Sequence, residues 1–530
     1  MDTPDQTGAK RPDDANRALR SLDRDPAPPP KWAMSPVNGR VLDPSTALVV
    51  KGVQPRSTVY VGPRLTISRA LDFAETLDIL RDVADELGWD VDPEGEEDPR
   101  GQGLRFGVRR VSLSVGSRRV TLAPDGWILL QQARARYGIE RMRGVGLDHL
   151  VFSSSEIGPD PFHATNPFHA TNPFHATNPA QAERSAPIST YAVPGWGGRQ
   201  PVAYVGAPPE RQEKVAGRRP VVAILDTGCG RHPWLDRAVT KGVTLDGVPI
   251  GYHDPITDPE LYGDLLGQLD GLIDPFSGHG TFIAGLVHQA CPDAELVVWR
   301  AVPSDGPIVE SDLITALAQI AELARRHRLG LPGGQPIDVL TLSMGYYHET
   351  PEDLLFDPTM YAILEDLSHH GTVVVCSAGN EATSRPCFPA AFAPWSDGSG
   401  PFVAVPDCLP IVSVGALNPN RRTDALFSNA GPWVRAYETG AAVLSTMPAF
   451  QGGLQPVARS RAFGRVRESI DPDDYGGGFG VWSGTSFAAP LLAGRLAAGL
   501  GVIDPAEDDA AAAVARGWSV VELLTGVVPD

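Results

Sequence analysis

The sequence predicts an α/β protein in which a mostly parallel sheet carries helices on both faces, preceded by a small N-terminal α+β domain. Two observations lead to this fold class. Strand and helix patterns alternate over residues 216–502, whereas residues 54–154 follow the order β-α-β-β-α-β of a split-βαβ sandwich. A length of 530 residues leaves room for both units.

The parallel sheet is predicted from short apolar runs separated by helical patterns. The strand candidates are 220–225, 295–300, 337–343, 372–377 and 411–415. The helix candidates are 281–290, 311–327, 358–370 and 484–500. Strands that alternate with helices in this way form parallel sheets that are covered on both faces.

The N-terminal part of the chain is predicted to contain two segments. Residues 1–53 carry a proline cluster and little apolar periodicity, which predicts disorder. Residues 54–154 form the small α+β domain. Its predicted elements are a strand at 58–62, a helix over 68–87, a hairpin made by 104–115 and 119–122, a helix over 127–137 and a strand at 149–153.

Two further segments flank the alternating region. Residues 155–215 are predicted to be a linker, because Pro-Phe-His-Ala-Thr-Asn occurs three times within 161–178. A proline every six residues blocks both helices and central strands. After residue 502, the tail 503–530 is predicted to place one amphipathic helix on the surface.

Composition excludes several classes of partner. The formal net charge of −19 would repel nucleic acid. No run of 18 apolar residues predicts a membrane-spanning helix, and residues 1–30 contain no apolar segment of a secretion signal. The five cysteines are scattered, which favours reduced thiols. These features predict a cytoplasmic protein with neither a nucleic-acid nor a membrane partner.

One short stretch, Gly484 to Pro490, carries the first chemical signal. Its small residues precede an apolar, Ala-rich helical run, so Ser486 is expected at or near a helix N-terminus. Backbone N–H groups there favour negative charge and could hold the oxyanion that a serine nucleophile generates. The alternative is a serine that simply caps the helix.

Three upstream residues supply the partners that such a serine needs. Asp226 ends a predicted buried strand, His279 lies near a predicted helix start, and Asn380 follows another strand. A carboxylate, an imidazole and an amide could orient a base, take a proton and donate to an oxyanion. Each of the three also has a purely structural interpretation. Asp226 would be a turn residue at the end of a strand, His279 a core histidine, and Asn380 a residue of a left-handed turn.

The motifs taken together resemble the subtilisin-like serine proteases, the subtilase family (peptidase family S8). They occur in the family's order over roughly residues 216–502. The matching segments are Asp226-Thr227-Gly228, His279-Gly280-Thr281, Leu342-Ser343-Met344-Gly345, Ser377-Ala378-Gly379-Asn380, Phe427-Ser428-Asn429-x-Gly431 and Gly484-Thr485-Ser486-x-Ala-x-Pro490.

This resemblance implies a serine endopeptidase with polypeptide substrates and an acyl-enzyme intermediate. Ser486 would be the nucleophile, His279 the general base, Asp226 the residue that orients it, and Asn380 an oxyanion donor. The residues implied to line the substrate groove are Ser343, Met344, Gly345, Ala378 and Gly379.

Several implications remain open at the level of sequence. No cofactor is required, and calcium, which stabilises many subtilases, has no ligand segment that matches here. Residues 54–154 share the architecture of subtilase propeptides, so they are either an intramolecular inhibitor or a regulatory, partner-binding domain. The alternatives for the whole chain are a latent effector protease or scaffold switched on by a partner, and a peptide-binding pseudoprotease.

Overall fold

The computed structural model describes residues 23–29, 31–95, 99–117, 121–153, 191, 197–266, 273–304, 306–350, 358–451, 456 and 458–529. The hexapeptide repeat and most of the predicted linker lie outside these residues.

An antiparallel sheet backed by two long helices forms the N-terminal unit. Its strands are β1 (Gly39–Val41), β2 (Val59–Ser68), β3 (Trp89–Pro93), β4 (Val108–Val115) and β5 (Val145–Ser153), and its helices are α1 (Lys31–Met34), α2 (Phe73–Leu87) and α3 (Gly126–Tyr137). The strand order is β5-β2-β4-β3, and β1 also pairs with β2. Leu65, Leu80 and Trp127 lie in the core of this unit.

Two predictions for this unit differ from the structure. The strand β4 pairs with β3 along one edge and with β2 along the other, so it forms no hairpin with 121–122, whereas 119 and 120 lie outside the described residues. In β3 the buried Trp89 and Val91 alternate with exposed aspartates, and this acidic composition hid the period-two pattern. Predicted disorder over 1–53 is also wrong for the segment after residue 30, where Leu42 and Val53 are buried.

The C-terminal unit is built on a parallel sheet. The strands of this unit are β6 (Gln200–Pro201), β7 (Val221–Asp226), β8 (Val239–Lys241), β9 (Thr244–Leu245), β10 (Val248–Pro249), β11 (Glu295–Arg300), β12 (Ile308–Val309), β13 (Val339–Leu342), β14 (Met344–Gly345), β15 (Val373–Ser377), β16 (Val412–Leu417), β17 (Ala436–Thr439), β18 (Val443–Thr446), β19 (Arg459–Ala462), β20 (Arg465–Glu468) and β21 (Phe479–Trp482). The parallel sheet has seven strands in the order β17-β16-β15-β13-β7-β11-β8. The helices are α4 (His279–Ala290), α5 (Glu310–Arg328), α6 (Thr359–His369), α7 (Thr485–Leu500) and α8 (Ala510–Thr525).

Helices cover both faces of this sheet, as the alternating pattern predicted. On β7, Ile224 packs into one core with Phe282 of α4 and Phe487 of α7. Leu225, which points to the opposite face, packs into a second core with Leu317 of α5. The predicted α/β fold class is confirmed. No helix in the described ranges is long and apolar enough to cross a membrane.

Both ends of the parallel unit pack more closely than predicted. In α8, Val521 is fully buried and joins the core that contains Phe487, so the tail is part of the core rather than a surface addition. At the other end, β6 pairs with β21, and Arg199 donates to the carbonyl of Asp274 at 2.8 Å. The end of the predicted linker is therefore packed onto the parallel unit.

The strand β5 joins the two units. One edge pairs with β2, whereas the other pairs antiparallel with β12 and β14 of the C-terminal unit. Leu150 of β5 and Val309 of β12 belong to one small buried cluster. The N-terminal unit thus ends at the carboxyl edge of the parallel sheet.

Candidate active site

A carboxylate and an imidazole form a buried pair at the end of β7. Asp226 Oδ1 lies 2.6 Å from His279 Nδ1, and both side chains are almost completely inaccessible to solvent. The backbone N–H of Thr227 donates to the same oxygen at 2.7 Å. The aspartate therefore fixes the orientation of the ring, and Nε2 is the nitrogen that this carboxylate does not engage.

The glycine after His279 allows α4 to start against the loop that follows β7. A Cβ on Gly280 would lie 2.0 Å from the carbonyl oxygen of Gly228, so this contact requires glycine. Since His279 is the first residue of α4, the close approach also sets the distance between the imidazole and Asp226.

Ser486 is the second residue of α7 and is buried. Its Oγ donates to the carbonyl of Ser343 at 3.2 Å, while the hydroxyl of Ser343 donates to the carbonyl of Ser486 at 2.9 Å. Among the described contacts there is no hydrogen bond between Ser486 and His279. The structure thus places Asp226 against His279, and it places Ser486 against Ser343. The hydroxyl of Ser486 is rotated toward the carbonyl of Ser343.

Asn380 lies beside the start of α7. Its Oδ1 accepts from the backbone N–H and from the hydroxyl of Thr485, both at 2.9 Å. This arrangement directs the amide nitrogen away from Thr485. The neighbouring backbone is tied in as well, because Gly379 N donates to Thr485 Oγ1 at 3.1 Å and the carbonyl of Ala378 accepts from Asn429 at 2.8 Å.

The groove beside Ser486 is occupied by the chain's own strand β5. Met344 pairs with Ser153 and Gly345 pairs with Phe152, both in antiparallel register. Ser153 Oγ lies 3.5 Å from His279 Nε2 and 3.4 Å from the carbonyl of Ser343. A peptide strand therefore lies where the resemblance expected a substrate, with its last described residue against the imidazole.

Two carboxylates in this region, those of Glu381 and of the buried Glu260, were missed by the sequence analysis. Glu381 accepts from the backbone N–H of Asn380 at 2.8 Å and from Tyr347 Oη at 2.6 Å, and burial raises its pKa. Glu260 contacts the loop after Asp226. Neither residue stands in a recognisable pattern, although Glu381 directly follows the Asn380 motif.

One group of described residues has the composition of a metal site. His149, His348 and Glu349 bring potential ligand atoms within 4.8 Å of one another. Two of these three ligands would be nitrogen atoms, whereas Ca²⁺ is bound by oxygen atoms. The calcium expectation thus finds no counterpart in this group.

The fold and this site define a class: an α/β protein with an Asp–His pair and a helix-start serine at the carboxyl edge of a parallel sheet. A family model described as the subtilase family, Peptidase S8, matches residues 217–507. The chain therefore belongs to the subtilase family, and its class is that of the subtilisin-like serine proteases.

The individual relatives match the chain at low sequence identity. The chain is 25% identical over 292 residues to an intracellular serine protease of Paenibacillus polymyxa, covering 53% of this chain and 66%, just under two thirds, of that protein. It is 22% identical over 312 residues to the major intracellular serine protease of Bacillus subtilis, covering 56% of this chain and 73% of the relative. Fervidolysin from Fervidobacterium pennivorans, a keratinolytic enzyme related to subtilisin, aligns at 19% identity and a TM-score of 0.42 over 85% of this chain and 55% of its own.

Proposed function

We propose that the chain is a serine endopeptidase that hydrolyses peptide bonds through Asp226, His279 and Ser486. The observation that carries this proposal is the 2.6 Å bond from His279 Nδ1 to Asp226, next to a groove in which β14 already holds a peptide strand. Antiparallel pairing with an extended peptide is a common way to present a polypeptide substrate.

In the proposed reaction, Ser486 Oγ attacks the scissile carbonyl carbon while its proton passes to His279 Nε2. Asp226 stabilises the imidazolium, and the carbonyl oxygen, now negative, accepts from Asn380 and from the backbone N–H of Ser486. The C–N bond then breaks, and the leaving amine takes the proton from His279. A water molecule, activated by the same imidazole, hydrolyses the acyl-enzyme.

Before this reaction can start, two contacts must change. The hydroxyl of Ser486 has to rotate from the carbonyl of Ser343 to His279, and Ser153 has to leave the imidazole. We therefore propose that the N-terminal unit is an intramolecular inhibitor and that the described state is latent. The position of β5 in the groove supports an inhibitor rather than a regulatory, partner-binding domain.

Charged contacts between the units support the inhibitor proposal. Arg100 and Arg110 lie 3.1 and 3.4 Å from Asp312 on α5, and Arg105 lies 2.6 Å from Asp366 on α6. These pairs place guanidinium groups of the N-terminal unit against carboxylates of the catalytic unit. They favour binding of the N-terminal unit in this orientation.

The proposed partners and location follow the family. Substrates are polypeptides, and we infer an intracellular site of action because two relatives are named intracellular serine proteases. Calcium remains a proposal without assigned ligands.

The test is labelling by a fluorophosphonate probe, which reacts with an activated serine. We expect wild-type protein to label slowly and Ser486→Ala not at all. The matched control, Ser519→Ala, changes an exposed serine and should label like wild type. If the intact chain does not label, the assay is repeated after removal of residues 1–153. Continued absence of labelling in a folded catalytic unit contradicts the endopeptidase proposal and favours a pseudoprotease.

A further inference from the structure

A second buried carboxylate, that of Glu260, lies behind the Asp226–His279 pair. The residue is only 3% exposed. Its carboxylate accepts hydrogen bonds from the loop after β7 and from the first turn of α4. The donors to Oε1 are Thr227 Oγ1 at 2.5 Å, Gly280 N at 2.9 Å and Thr281 N at 3.3 Å. The donors to Oε2 are Gly230 N at 3.2 Å and Thr281 Oγ1.

Glu260 caps the helix that begins with His279. The residue before the helix, Gly278, has no side chain to accept from the free N–H groups. Glu260 accepts from Gly280 N and Thr281 N instead, and a negative charge at a helix N-terminus is stabilising. The cap thus comes from a residue 19 positions upstream of His279, and it acts on the turn that carries the imidazole.

Glu260 also determines where the proton of the Thr227 hydroxyl points. Thr227 Oγ1 lies 2.5 Å from Glu260 Oε1 and 3.3 Å from Asp226 Oδ1, and it accepts from Gly280 N at 2.7 Å. A hydroxyl has one proton, so donation to Glu260 at the shorter distance leaves Asp226 Oδ1 to His279 Nδ1 and to the backbone N–H of Thr227. Without an acceptor at residue 260, the hydroxyl would turn to Asp226 and compete with the imidazole.

We propose that Glu260 is a positioning residue for the Asp226–His279 pair, holding the start of α4 and keeping the Thr227 hydroxyl off Asp226. The effect of Glu260 on the reaction rate of Ser486 rests on the proposed peptidase function. The structural effect of Glu260, the state of the bond between His279 and Asp226, can be measured without any catalysis.

The arrangement requires the ionised form of Glu260, because all five of its partners donate. Burial, and secondarily the nearby negative charges of Asp258 and Asp226, raise the pKa of Glu260 to about 7. Below that pH a proton displaces at least one donor and loosens the cap. The other charged or titratable groups near this carboxylate are Cys229 of the same loop, Lys241 of β8, Arg300 of β11 and His279 of α4.

The first experiment uses nuclear magnetic resonance on the full-length Ser486→Ala chain. We expect a low-field signal from the hydrogen-bonded Nδ1–H of His279 at pH 8, and we expect it to broaden below pH 7 as Glu260 gains a proton. In the Ser486→Ala, Glu260→Gln double variant the signal should be broadened at every pH. Glu438→Gln is the matched control, because Glu438 is a buried carboxylate that accepts from Thr439 N and pairs with Arg495.

The second experiment measures fluorophosphonate labelling against pH. We expect Glu260→Gln to slow labelling at pH 8 about tenfold, within the range of coupling between directly bonded neighbours. The acid limb of the labelling profile should be less steep in Glu260→Gln than in wild type, because the proton taken up by Glu260 no longer contributes. A low-field signal and a labelling profile equal to those of wild type would overturn the inference. Absence of labelling in wild type would instead count against the proposed function, leaving the resonance result to decide the role of Glu260.

Thr227→Val covers the case in which Glu260→Gln does not fold. Made in the Ser486→Ala chain, this variant has no hydroxyl at residue 227 to compete for Asp226. Its low-field signal should therefore persist below pH 7 more strongly than that of the Ser486→Ala parent. If the signal still broadens in the same way as in the parent chain, the proposed competition by Thr227 is wrong.

Discussion

At the residue scale, Asn380 illustrates how one neighbour determines the function of a side chain. Thr485 gives two hydrogen bonds to Oδ1, which identifies the other end of the amide, directed away from Thr485, as the nitrogen donor. Under the proposed mechanism, Asn380→Ala removes an oxyanion donor. We expect kcat to fall about 100- to 1000-fold with little change in KM, measured on a peptide substrate.

The control for this prediction is Asn420→Ala, which removes an exposed turn asparagine far from Ser486 along the chain. Because Asn380→Ala also removes the acceptor of the Thr485 N–H, thermal unfolding of both variants must be compared. A tenfold or smaller loss of kcat in a folded Asn380→Ala protein would argue against Asn380 as an oxyanion donor.

The site residues that could be predicted from the sequence are those that lie in short local motifs. Asp226 and His279, 53 positions apart, are found in contact as those motifs implied. Glu260 and Ser153 could not be found in this way, because neither has a local pattern and each reaches the site only through the tertiary fold. Their roles depend on contacts made across 20 or more residues.

At the scale of elements, β5 carries a histidine that is clamped by carboxylates of the other unit. His149 Nδ1 lies 2.5 Å from Glu310, and Nε2 lies 2.7 Å from Glu349. Although burial opposes the charged form, the two carboxylates raise the pKa of His149 to about 10. An imidazolium between two carboxylates ties the end of the N-terminal unit to α5 and to the segment after β14.

The sign of the pH effect follows from this raised pKa. When β5 is released, His149 returns to an ordinary value near 6.5. The clamp therefore contributes fully below about pH 6.5 and is lost as pH rises through 10, weakening the association by at most about tenfold per pH unit. His348 and Glu349, whose pKa values are both lowered, do not titrate in this window.

Hydrogen exchange of the β5 amides in Ser486→Ala, corrected for intrinsic rates, measures this effect. Protection should fall between pH 7 and pH 10, and His149→Gln should remove most of that pH dependence. His370→Gln, at the end of α6, is the control. Equal pH dependence in the His149 and His370 variants would contradict the clamp.

A buried ion network ties the tail to the parallel sheet. Asp338 accepts from Arg218 at 2.6 Å, from Arg328 at 2.9 Å and from the backbone N–H of Val221 at 2.8 Å. The two arginines also bond Asp508, just before α8. This network explains why residues after 502 belong to the core, which their sequence pattern alone did not reveal.

Asp338→Asn should lower the free energy of unfolding by about 3 kcal/mol, because Arg218 and Arg328 then share the single carboxylate of Asp508 as their charge partner. The network lowers the pKa of Asp338, although burial opposes this. Its stabilisation is therefore present above pH 4 and lost as pH falls further. Denaturant unfolding tests both points, with the exposed Asp246→Asn as control. A loss below 1 kcal/mol would contradict the assigned role.

At the scale of the whole molecule, sequence predicted the two units but not how they meet. Alternation of strands and helices identified the parallel sheet, because each element there has its own period. The position of β5 between β2 and β14 depends on pairing between residues nearly 200 positions apart. No local pattern encodes such a pairing, and consequently the placement of β5 against β14 emerged only from the structure.

The charged contacts between the units predict which substitution relieves the proposed inhibition of Ser486. Asp312→Arg places a third guanidinium opposite Arg100 and Arg110, replacing attraction with repulsion. We expect fluorophosphonate labelling of Ser486 to become about tenfold faster at low ionic strength and less so at high salt. The control, Asp246→Arg, reverses an ion pair with Arg326 that lies within the C-terminal unit.

The same variant should also process itself faster. Because β5 enters the groove with Ser153 at His279, we expect cleavage shortly after residue 153, within the predicted linker. N-terminal sequencing of the large fragment measures this, and Ser486→Ala should remain intact. Cleavage that persists in Ser486→Ala would mean that another protease cuts the linker. Unchanged labelling in a folded Asp312→Arg chain would mean that the contacts of β5, rather than the arginine pairs, hold the N-terminal unit in place.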